Sequence, residues 1–148
     1  MQKEYRKVTT FICGPCDAVT RKEAEREYAL RKHYRRMICR RRSKYCEYIY
    51  LSKVIDNADM VDVIARKSMQ ETFISICDNV LVCGDVITPN MKEQIAEAKR
   101  QHKKIFRMTY GEKGIYITGY RDKEEADEKQ ICHSFASLRA LQFLIMYK

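Results

Sequence analysis

The residues best suited to chemistry come early in the chain. Cys13-Gly14-Pro15-Cys16 has the spacing of a redox dithiol, in which the first thiol stands at a helix N-terminus and the dipole there lowers its pKa until it attacks as the thiolate. Thioredoxins add a Trp before the first Cys and a cis-proline opposite the pair, whereas this chain has no Trp and only Pro15 and Pro89. The pair therefore reads as a turn carrying two free thiols. His33, His102 and His133 fall on separate segments and the CxxC has no second half, so no metal-ligand set and no cofactor is expected. Seven cysteines, an odd number, and a start without a secretory apolar region fit free thiols in a reducing compartment, so a cytoplasmic location is the expectation.

A second chemical feature is charge. From Arg21 to Lys44 there are eleven Lys or Arg against three Glu, so this segment carries +8 of the net +9. Arg40-Arg41-Arg42 with Lys44, and the interleaved Tyr28, Tyr34 and Tyr45, have the composition of a nucleic-acid contact, in which cations neutralise phosphates and rings stack on bases. The same cations also solvate a long helix and compensate the negative end of its dipole. With 45% hydrophobic and 33% charged residues, 5 Gly and 2 Pro, the composition excludes collagen and low-complexity chains. No apolar run reaches the ~18 residues of a membrane helix, so no membrane partner is expected. A length of 148 residues suits a single domain, residues 1–148, around one core.

These residues need elements to position them. Val8 to Cys13 is an apolar, β-branched run stopping at Gly14-Pro15, which predicts a buried strand feeding a turn. Leu30, His33, Tyr34, Met37 and Ile38 mark the core face of a helix. Tyr45 to Leu51 reads as a strand. Asp59 then offers an N-cap to a helix whose inner side is expected to be Val61, Ala65, Met69, Phe73 and Ile76. Val80 to Cys83 has the continuous apolar character of a strand covered on both faces. Thr88-Pro89 pairs an N-cap hydroxyl with proline at the first helical position, ahead of Met91, Ile95 and Ala98. Lys103 to Met108 and Gly114 to Thr118 read as further strands, the second at an edge. Asp122 and Glu125 open a last helix, whose apolar end, Leu141 to Lys148, points to a homo-oligomer, first of all a homodimer. This alternation predicts an α/β fold, a three-layer Rossmann-like (flavodoxin-like) sandwich with a mostly parallel central sheet of four or five strands, plus a C-terminal helix.

In such a sheet ligands collect where the C-terminal ends of strands meet helix N-termini, since unpaired backbone N–H groups and the helix dipole favour anions there. Two loops qualify, Cys13 to Thr20 and Gly84 to Met91.

Both loops carry a resemblance. Phe11-Ile12-Cys13-Gly14-Pro15, then Cys77-Asp78, Val80 to Cys83, Gly84, Thr88, Met91, Ile95 and Ala98, followed by Lys103-Lys104-Ile105, resemble the nucleoside 2-deoxyribosyltransferase-like superfamily, especially its branch common in bacteria and phages. The similarity spans residues 8–108 and leaves 109–148 as an extension with the edge strand and last helix. It implies a nucleoside or nucleotide ligand in a pocket shaped by Cys13, Gly14, Pro15, Cys16 and Gly84, with phosphate held by Thr88 and the helix N-terminus at Asn90. In active members a carboxylate on the helix after the third strand attacks C1′ of deoxyribose, because the cationic transition state needs an oriented anion. Aligning Met91, Ile95 and Ala98 puts Gln94 at that place. A carboxamide is uncharged, so the resemblance implies ligand binding with catalysis weakened or lost, Gln94 facing the sugar and Asp85 reaching a ribose hydroxyl. Two alternatives stay open. One is an active N-glycosidase or deoxyribosyltransferase using Glu93 or Asp85 as its acid. The other is a nucleic-acid or protein interaction module acting through the basic helix 21–44, including Arg40, Arg41 and Arg42.

Overall fold

A computed structural model describes residues 7–39 and 46–121. It contains five strands, β1 (Val8–Cys13), β2 (Cys46–Ile49), β3 (Asn79–Cys83), β4 (Lys104–Gly111) and β5 (Gly114–Gly119), and three helices, α1 (Arg21–Cys39), α2 (Met60–Ile76) and α3 (Pro89–Arg100). The strands lie in the order β2-β1-β3-β4-β5. Strand β1 pairs in parallel with β2 and β3, β3 pairs in parallel with β4, and β5 returns antiparallel as the edge. This is the expected Rossmann-like α/β sandwich with a mostly parallel sheet.

Alternation along the strands builds a core on each face. Phe11, Val80 and Val82 join Ile74, Met91, Ile95 and Ala98 in one cluster, which places α2 and α3 on that face. Ile12, Leu81, Cys83 and Met108 join Tyr34 and Ile38 of α1 in the other. Asp59 caps α2 by accepting from the Val61 N–H at 2.9 Å, and Thr88 caps α3 with Pro89 in its first turn. Among the described residues no helix is long and apolar enough to cross a membrane. The last helix expected from Asp122, its apolar end, and the Arg40-Arg41-Arg42 run lie outside the described residues.

Two helix faces differ from expectation. On α1, His33 is exposed and Arg31 takes an inward place, 1% exposed. On α2 the buried residues are Arg66, Gln70 and Ile74, one turn apart from one another, while Val61 and Ile76 are 70% and 57% exposed. Met69 and Phe73 still pack against the core. The inner stripe of α2 is thus partly polar, because the surface it meets on α3 is polar as well and supplies hydrogen-bond partners.

Arg31 explains how the loops at the C-terminal edge of the sheet are held. Its Nε donates to the Leu51 carbonyl at 3.0 Å, Nη1 to Pro15 at 2.6 Å and Nη2 to Lys53 at 2.8 Å. One guanidinium therefore ties the segment after β1 to the segment after β2. Burial lowers its pKa, yet a guanidinium stays protonated in proteins. The close approach needs glycine at position 14, where a Cβ would stand 2.9 Å from Arg31 Cγ. Replacing Arg31 by Met leaves three carbonyls without their donor, and the expected loss is about 3 kcal/mol of unfolding free energy in urea titration. A loss below about 1 kcal/mol contradicts the clamp.

Candidate functional site

The switch point of the sheet lies between β1 and β3, whose following helices leave on opposite faces. The loop after β1 is bound on every side. The Glu27 carboxylate of α1 accepts from the Asp17 N–H at 3.0 Å and the Ala18 N–H at 2.7 Å. Asn57 Nδ2 donates to the carbonyls of Cys16 at 3.1 Å and Ala18 at 2.9 Å. So anchored, the loop sends the Asp17 carboxylate across to α3, where its Oδ1 accepts from the Asn90 N–H at 2.7 Å. The Cys13 thiol also lies 3.8 Å from the Met91 carbonyl. The turn closing on Cys16 and the start of the helix bearing Gln94 are therefore neighbours.

The helix N-terminus is fully engaged. Pro89 has no N–H, the Met91 N–H donates to Thr88 Oγ1 at 3.3 Å, and the Lys92 N–H donates to the Thr88 carbonyl at 3.0 Å. The place expected for a phosphate at Thr88 and Asn90 is thus filled by groups of the chain itself, the anion being Asp17.

Behind this cap stands a cluster of carboxamides. Gln94 Nε2 donates to Asn90 Oδ1 at 2.7 Å and to Gln70 Oε1 at 3.2 Å. Asn90 Nδ2 donates to Gln70 Oε1 at 2.9 Å and to Glu93 Oε2 at 3.1 Å. Arg66 closes the group, with Nη1 3.2 Å from both Gln70 Oε1 and Glu93 Oε2, and Nε 2.8 Å from Asn57 Oδ1. Gln94 is 0% exposed, and its carbonyl oxygen has no hydrogen-bond partner among the described residues. An unmet buried acceptor costs about 1–3 kcal/mol and calls for an explanation. Glu93, on the neighbouring side of the helix, swings its carboxylate into the same cluster through Arg66 and Asn90.

The other expected site residues divide. Met91 is buried in the core, and Gly14 and Cys16 are buried in the turn, with Pro15 half-buried between them. Gly84 has φ +95, and a Cβ there would lie 2.6 Å from the Tyr34 hydroxyl, so this position requires glycine. Asp85 is exposed; Arg107 Nη2 holds its backbone carbonyl at 3.0 Å, while its carboxylate makes no hydrogen bond among the described residues. Asp17, Asn57, Arg66 and Gln70 were not singled out from the sequence. The spacing of Arg66 and Gln70 gives no distinguishing signal, since Lys67 and Glu71 repeat it on the same helix and are exposed.

On α1, Tyr34 is buried and unavailable for base stacking. The Lys32 ammonium sits 5.9 Å from the centre of the Tyr28 ring, and Arg35 stands 5.9 Å from that of Tyr50, so cations and rings there engage one another.

Burial holds the thiols of Cys13, Cys16, Cys77 and Cys83 in the neutral form at neutral pH. Burial pushes the Cys16 thiol up to about 11, outweighing the opposing pull of Arg31 and Arg66, and burial with the nearby Asp17 raises Cys13 as well. Burial likewise lifts Cys77 to about 12. Among the described residues no group of three His, Cys, Asp or Glu could hold a metal ion. Because the folded pKa values lie above the ordinary value of 9.0, the neutral thiols contribute stability that is complete below pH 9 and is lost as pH rises through about 11 to 12. The urea midpoint is expected to fall between pH 9 and 11, less so in Cys16→Ala. Native protein at pH 8 should leave Cys16 unalkylated by iodoacetamide in mass spectrometry, and rapid labelling there would contradict the burial argument.

Searches among curated proteins and among solved structures gave no match. Residues 8–108 match a family described as Domain of unknown function (DUF7768), a span that takes in both switch-point loops and every member of the carboxamide cluster. The chain belongs to the DUF7768 family.

Proposed function

We propose that the protein binds a nucleoside or nucleotide at the switch point, as its resemblance to the nucleoside 2-deoxyribosyltransferase-like superfamily implies, and that it does so without the covalent chemistry of the active members. The observation carrying this reading is the side-chain carbonyl of Gln94, buried, without a partner among the described residues and one helical turn from the start of α3. It is an acceptor in need of a donor, and a sugar hydroxyl is such a donor. Asn90 and Gln70 beside it are uncharged carboxamides, an environment that suits neutral polar ligands. A carboxamide oxygen carries no full charge and is a poor nucleophile toward C1′, so the site favours recognition over bond cleavage.

One observation favours a second, enzymatic reading. Glu93 brings a carboxylate into the cluster, held by Arg66 and by Asn90 Nδ2. Both donors hold Oε2, which draws electron density from the carboxylate and weakens it as a nucleophile.

A thermal-shift screen with deoxynucleosides and deoxynucleotides is expected to raise Tm by roughly 5 °C or more at ligand concentrations near 100 Kd. No shift with any of them at saturating concentration rejects the reading. The parent chain is expected to release no free base from a bound deoxynucleoside, and Gln94→Glu is expected to gain that release. Base release by the parent that disappears in Glu93→Gln would instead establish the enzymatic alternative.

A further inference from the structure

Resting on the reading of this site as a nucleoside or nucleotide pocket, we infer that Asp17 acts as a built-in anion that selects nucleosides over their 5′-phosphates. The geometry behind this is the capping of α3 by a residue distant in sequence. A helix N-terminus at the end of a parallel strand is where a phosphate is ordinarily received, because free N–H groups and the positive end of the dipole converge there. Here the Asn90 N–H donates to the Asp17 carboxylate at 2.7 Å, and the second oxygen of Asp17 accepts from the Cys16 N–H at 3.3 Å. The backbone N–H groups of the loop itself, at Asp17 and Ala18, already serve the Glu27 carboxylate.

Both sets of donors able to grip a phosphate are therefore matched to carboxylates of the chain. The cations nearby are committed too, Arg31 to three backbone carbonyls and Arg66 to Asn57, Gln70 and Glu93. A phosphate dianion entering this corner meets two negative groups, and the backbone N–H groups of both sets are already engaged. A neutral ligand meets no such repulsion, and the unpartnered Gln94 carbonyl on the next turn of α3 is the independent sign that a hydroxyl-bearing molecule is received beside it.

Titration calorimetry on the full chain, with 2′-deoxynucleosides of each common base and their 5′-monophosphates, tests the selection. The parent is expected to bind its preferred nucleoside at least about tenfold more tightly than the matching monophosphate. Asp17→Ala, which frees the Asn90 N–H, is expected to remove or reverse that ratio. Asp17→Asn keeps an acceptor for the Asn90 N–H while deleting the charge, and should reduce the ratio even if the alanine variant does not fold. Equal or tighter binding of the monophosphate by the parent overturns the inference, as does an unchanged ratio in the variant that folds. Inorganic phosphate separates this inference from the reading beneath it. If no nucleoside or monophosphate binds parent or variants, the nucleoside reading fails. A phosphate-dependent rise in Tm confined to the Asp17 variants still upholds Asp17 as the resident anion, and no rise, or an equal rise in the parent, overturns it.

Discussion

The buried guanidinium of Arg31 holds the C-terminal edge of the sheet together. A parallel sheet delivers its strand ends to one edge, where the chain must leave in different directions, and the carbonyls exposed there have no ladder partner. Arg31 supplies donors to three of them, from the turn after β1 and the segment after β2. Because the fork is planar and rigid, the three distances are satisfied together, and the positions of Pro15, Leu51 and Lys53 become mutually dependent. The turn at Gly14-Pro15 is pressed onto the α1 surface as a result, and everything that the next residues do follows from where that turn is placed.

The first consequence is the reach of Asp17. With Glu27 gripping the loop's N–H groups and Asn57 its carbonyls, the side chain at position 17 is directed at the N-terminus of α3, across the switch point. The second is the polar seam between α2 and α3. Asn57, Arg66, Gln70, Asn90, Glu93 and Gln94 satisfy one another in a continuous network, and a network of that kind positions its members more narrowly than apolar packing does. The seam has a visible cost elsewhere on α2: with Arg66 and Gln70 turned inward, Met60, Val61 and Ile64 face solvent. Among the described residues the side-chain carbonyl of Gln94 is left without a donor, and it lies in the part of the fold where parallel sheets receive ligands.

Much of the architecture could be read directly from residue order. The short runs at Val8–Cys13 and Val80–Cys83 form strands buried along residues 10–13 and 80–83, as expected of a sheet covered on both faces. Asp59 and Thr88-Pro89 announce their helices by local chemistry that needs no partner from elsewhere in the chain. The inner face of α2 is not legible from periodicity, which counts apolar side chains and treats Arg66 and Gln70 as solvent-facing by default. A buried charge is admissible only where partners exist, and those partners sit in the loop before α2, 9 residues away, and on α3, 27 residues away.

The sequence by itself determined the class of fold, the strands and helix caps that bound the two loops after β1 and β3, and the carboxamide at position 94. These follow from properties local to a few consecutive residues, such as β-branching, helix caps and spacing along one helix. Only the tertiary structure decided that Gln94 is buried, that Glu93 reaches the same cluster while Asp85 does not, and that Asp17 occupies the start of α3. Those facts depend on which side chains converge from distant segments, since hydrogen-bond satisfaction in a buried seam is a property of the assembled group and of no residue alone.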